Sequence, residues 1–129
     1  MSRKKSIFQR FHKQLETRDD HFDDELRSHY YKTSFDKVFQ AVTEVFQKDQ
    51  TMEISSTSKE RGELAIHMKK NPHAFIVVTV IQTRPFETAV DFMVSSDKFS
   101  IIGLYPALKK IVVGLYKELD KKLPSIGVK

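Results

Sequence analysis

Phe35-Asp36-Lys37-Val38-Phe39-Gln40-Ala41-Val42-Thr43-Glu44-Val45-Phe46-Gln47-Lys48 is the stretch whose pattern decides the fold. Phe35, Val38, Phe39, Val42, Val45 and Phe46 recur at spacings of three and four, the stripe of a helix that buries one side. Thr33-Ser34 offers a helix start, and Asp36 suits the positive end of the helix dipole. A helix with a single apolar side needs a surface to cover, and the flanking sequence supplies one.

Downstream, the period drops from 3.6 to 2. Within 51–57, Met52 and Ile54 alternate with Glu53 and Ser55; within 63–69, Leu64, Ile66 and Met68 oppose Glu63, Ala65, His67 and Lys69. Within 88–94, Val90, Phe92 and Val94 oppose Ala89, Asp91 and Met93. Phe75-Ile76-Val77-Val78-Thr79-Val80-Ile81 is apolar on both sides, which marks a central strand with its second face at least partly covered. The links 58–62, Asn71-Pro72-His73 and Arg84-Pro85-Phe86 are of hairpin length, with Gly62 free to take positive φ, so the strands pair antiparallel. Upstream, 26–32 reads as a strand with Leu26 and Tyr30 on one face. After Ser95-Ser96-Asp97 the helical period returns in Leu108, Ile111, Val112, Leu115, Leu119 and Leu123. Pro106 is expected in its first turn, Lys121 and Lys122 close it, and Pro124 stops it.

The expectation is an α+β domain of order β-α-β-β-β-β-α. An antiparallel sheet of about five strands carries both amphipathic helices on one face. Residues 26–124 form this domain, 1–25 a charged N-terminal arm and 125–129 a tail. Ile7, Phe8, Phe11 and Leu15 recur at helical spacing and predict a short amphipathic helix over 5–17.

At 129 residues the chain suits one domain, and without cysteine it has neither disulfides nor thiolate metal ligands. A cytoplasmic setting fits that composition. The basic start lacks the apolar stretch of a secretory signal, and no apolar run approaches the roughly 20 residues that cross a bilayer. The net charge of +5 is unevenly spread: residues 1–18 carry six Lys and Arg against Glu16, and 19–25 carry five carboxylates. Two basic ends attract nucleic acid or anionic lipid, or simply keep the chain soluble.

No catalytic constellation stands out, so the chain reads as a non-enzyme without a cofactor. None of the five histidines lies four residues from another, as a helical zinc pair requires. His67 and His73 can meet beside Asp91 or Glu63 to bind a metal, with exposed, inert imidazoles as the default, and His67 with Asp91 is the candidate hydrolytic pair. The run Asp19-Asp20-His21-Phe22-Asp23-Asp24-Glu25 lacks the glycine and spaced oxygens of a calcium loop and reads as a solvated charge run. The serines lack glycine elbows, and the four glycines are isolated, so no phosphate-cradling loop is present.

Two surfaces remain. The sheet face away from the helices is expected to show Ala65, His67, Val78, Val80, Ala89, Asp91 and Met93; a slip of one residue in 75–81 exposes Phe75 and Val77 instead. Such a strip fits a protein partner or a homodimer. The arm offers Arg3, Lys4, Lys5, Phe8, Arg10, Phe11 and Lys13 to an anionic membrane surface or nucleic acid, or it packs on the domain.

The order of a lone strand, a helix, a run of antiparallel strands and a long C-terminal helix, over 33–48, 51–94 and 106–123, resembles two groups. One is the small uncharacterised cytosolic bacterial proteins with a TBP-like sheet; the other is the helix-grip family. The first resemblance implies a domain of unassigned role. The second implies a carrier of a small hydrophobic ligand, with an enclosed apolar cavity.

Overall fold

In the computed structural model, residues 14–70, 73–96 and 101–128 are described, with only the backbone for 101–104. The periodic stretches become α1 (Phe35–Lys48), β3 (Met52–Ser58), β4 (Glu63–Met68), β5 (Ala74–Arg84), β6 (Glu87–Ser96) and α2 (Ile101–Lys122). Three short strands join them: β1 (Gln14–Glu16), β2 (His29–Tyr31) and β7 (Ser125–Gly127). The fold is α+β: among the described residues the antiparallel sheet has seven strands, six in the order β3-β4-β5-β6-β2-β7 and the seventh, β1, paired with β6. β1 and β2 share one edge of β6: Leu15 lies opposite Val94, and Tyr30 opposite Ala89.

Ser34 caps α1, its Oγ accepting from the Lys37 N–H at 3.3 Å. Val38, Phe39, Val42 and Phe46 of α1 and Leu108, Val112, Leu115 and Leu119 of α2 are buried in one core. That core also takes Leu64, Ile66 and Met68 of β4, Ile76, Val78 and Val80 of β5, and Val90, Phe92 and Val94 of β6. Cross-strand pairing of Leu64 with Val78 and Val78 with Phe92 puts these side chains on one face, so both helices cover the same side. Each such side chain contributes roughly 1.5–3 kcal/mol of burial before entropy is counted.

Gly62 closes the β3–β4 turn at φ 71°. A Cβ there would collide with the Val80 carbonyl oxygen, while its own carbonyl accepts from the Val80 N–H at 2.7 Å, so only glycine fits.

Several expectations are corrected. Residues 14–16, placed in a helix over 5–17, are a strand, because Leu15 fills the core beside Val94 while Gln14 and Glu16 point to the other face. The remainder of that predicted helix lies outside the described residues. The core therefore starts before Leu26. Leu26 itself sits in a 3₁₀ turn, Asp24–Leu26, and is buried with Tyr31, while Tyr30 points the opposite way. The predicted tail contributes β7, paired with β2. α2 begins five residues before Pro106, so the proline lies inside the helix and leaves the Ile102 carbonyl without a helical donor.

Candidate functional site: the open face of the sheet

Pairing register sets what the uncovered face displays. One row runs Glu53, His67, Phe75, Ser95 and Gln14 from β3 to β1; the next runs Ser56, Ala65, Val77, Met93 and Glu16. The third runs Ser58, Glu63, Thr79 and Asp91. Phe75, Val77 and Met93 thus form an apolar patch, with Phe75 42% exposed and edge-on to the His67 ring at 6.3 Å. Ile81, 48% exposed, continues the patch along β5. Glu16, Glu53, Glu63 and Asp91 surround it, and no lysine or arginine stands in these three rows.

Of the side chains expected here, Ala65, His67, Asp91 and Met93 are on this face, as is Ala89, which is buried opposite Tyr30. Val78 and Val80 are not: they are 0% and 2% exposed and lie under the helices. The one-residue alternative for β5 is the observed one, because Leu64 and Phe92, opposite Val78, also point into the core. The arm residues Arg3, Lys4, Lys5, Phe8, Arg10, Phe11 and Lys13 lie outside the described residues.

His67 and Asp91 do not meet. They are two strands apart and four residues offset, about 10 Å across and about 13 Å along the sheet, too far to share one water. His67 and His73 line one shallow depression of about 360 Å³ with Phe75 and Ser95, at the end of the face where β1 begins. Among the described residues no three His, Asp or Glu side chains converge as metal ligands. A groove of about 520 Å³ between α1 and α2, over Val45, Met52, Ile111 and Leu115, is open to solvent rather than enclosed.

Asp91 occupies the gap between β1 and β2. Its Oδ1 accepts from the Thr17 hydroxyl at 2.8 Å and from the Ser28 hydroxyl. Burial pushes its carboxyl above the usual aspartate range, partly opposed by those two hydroxyls. Thr17 Oγ1 also accepts from the Phe92 N–H at 3.0 Å and from the Tyr116 hydroxyl. The Tyr31 hydroxyl donates to Asp120 at 2.8 Å, and His29 stacks on Tyr116 while its Nδ1 faces the same carboxylate at 3.2 Å. These groups tie α2 to β2 and β6. Their partners lie 63 to 99 residues apart in sequence, which no local pattern signals.

The acidic run also has structural partners. Asp23 and Glu25 hold Lys109 of α2 at 2.7 and 3.0 Å, and that cation keeps the Asp23 carboxyl below its usual range. Asp19 accepts from the Tyr30 hydroxyl, which burial and that carboxylate push up to about 12.

The chain matches no protein-family model and no curated protein. Among the described residues no helix is long and apolar enough to cross a membrane.

Proposed function

We propose that this chain is a protein-interaction domain, without catalysis of its own, whose open sheet face receives a basic, amphipathic polypeptide segment. The observation that carries this is the apolar patch of Phe75, Val77 and Met93 with Glu16, Glu53 and Glu63 along its margins and no lysine or arginine within its rows; Arg61 reaches Glu63 at 3.9 Å from the β3–β4 turn. An apolar patch supplies affinity by burial, and a margin of one charge selects a partner of the other. The same margin disfavours a homodimer built face to face, since Glu16, Glu53 and Glu63 of one copy would be brought against carboxylates of the other. It equally repels an anionic membrane or nucleic acid from this face, which leaves those partners to the arm. The carrier reading calls for an enclosed cavity, and the groove between the helices is open.

The test is a titration with a fluorescent 14-residue peptide of alternating Lys and Leu helical turns, against its Glu/Leu counterpart. The basic peptide is expected to bind, the acidic one not, and Phe75→Ser or Glu53→Lys to weaken binding about tenfold each, near 1.4 kcal/mol. Binding indifferent to both substitutions removes the reading. A dimer in light scattering that Phe75→Ser dissolves would replace the peptide with a second copy of the chain.

A further inference from the structure

We infer that the first occupant of the open face is this chain's own residues 1–13. This rests on the reading above and names the segment. The place of attachment comes first. Gln14 is the first residue of β1 and lies on the open face, in the row with Ser95, Phe75, His67 and Glu53. Residues 1–13 therefore join the sheet at the edge of the apolar patch, beside the depression lined by His67, His73 and Phe75.

Length agrees. Four strand spacings separate β1 from β3, about 19 Å. Thirteen residues extend about 20 Å even at the short rise of a helix, enough to cross the face once.

Chemistry agrees as well. Ile7, Phe8 and Phe11 are apolar, and Arg3, Lys4, Lys5, Arg10 and Lys13 carry five positive charges without one carboxylate among residues 1–13. The face presents the converse, an apolar centre with Glu16 and Glu53 at opposite margins and Glu63, shared with Arg61 at 3.9 Å, beyond Val77. Tethering at Gln14 gives the segment an effective concentration of about 1 mM, so even an intrinsic dissociation constant near 0.1 mM fills the face about nine-tenths of the time. A partner then binds by displacing the segment, and its apparent affinity is lowered about tenfold by that competition.

The chain contains no tryptophan, so Phe75→Trp installs a single reporter in the patch. Met93→Trp serves if the first variant disturbs the patch. Each is made in the full chain and in a chain beginning at Gln14, and acrylamide quenching and the Lys/Leu peptide titration are run on both. The expected result is a shielded, blue-shifted reporter in the full chain and an open one in the shortened chain. A synthetic peptide of residues 1–13 should restore shielding, and the Lys/Leu peptide should bind the shortened chain about tenfold more tightly. Equal quenching and equal peptide affinity in both chains overturn the inference and leave the interaction reading standing. No binding of either peptide to the shortened chain overturns both.

Discussion

Strand β5 has two sides of nearly equal hydrophobicity and opposite fates. Ile76, Val78 and Val80 are sealed beneath α1 and α2, whereas Phe75, Val77 and Ile81 on the reverse side lie away from both of these helices and stay partly exposed among the described residues. Composition therefore does not decide which side becomes core. Coverage does, and coverage follows from where the two amphipathic helices dock. The buried side contributes stability, and the open side keeps apolar area for recognition. The flanking strands confirm the division: Leu64, Ile66 and Met68 of β4 and Val90, Phe92 and Val94 of β6 lie beneath the helices, with the buried Thr88 hydroxyl donating to the Thr33 carbonyl, whereas Glu63, His67 and Asp91 are on the reverse.

Substitutions on the two sides should differ most in unfolding free energy. Phe92→Ala, beneath the helices and edge-on to Tyr116 at 4.9 Å, is expected to cost about 3–5 kcal/mol in urea unfolding. A cost below about 1 kcal/mol would show that the helices do not seal that side.

Asp91, at the boundary between the sides, should make stability depend on pH. Its folded pKa is raised, so between the ordinary aspartate value of about 3.9 and that higher value the native state holds the extra proton. Its contribution favours the fold at low pH and is lost as pH rises through the folded value. Asp91→Asn should remove this part of the slope in urea melts compared across that range. An unchanged slope would mean that the carboxyl is solvated as ordinary surface aspartates are.

The smallest effect belongs to the open side. Phe75→Ser should alter unfolding free energy by no more than about 0.5 kcal/mol, although it should weaken partner binding. A stability loss comparable with that of Phe92→Ala would make Phe75 a core residue and erase the distinction between the sides.

The two helices and strands β3, β4 and β6 were legible in the sequence because each repeats a period, and β5 because an unbroken apolar run lies between two turns. The stripe from Phe35 to Phe46 and the alternation from Val90 to Val94 are local facts about the chain. β1 and β7 were not legible, since three residues carry no period and pair only because β6 and β2 offer open edges. Of the candidate surface, Ala65, His67, Asp91 and Met93 could be read from alternation with polar neighbours. Phe75 and Val77 could not be separated from Val78 and Val80, because a strand apolar on both sides looks the same in either register.

By itself the sequence determined the α+β class, the helical stripes and the alternation of the strands, all set by backbone geometry over neighbouring residues. Only the tertiary structure decided which side of β5 the helices cover, how Thr17, Ser28 and Asp91 close the gap between β1 and β2, and that Phe75, Val77 and Met93 form one patch with Glu16, Glu53 and Glu63 at its margins. Those depend on contacts between residues distant in the chain, whose alignment is fixed when the strands pair and the helices dock.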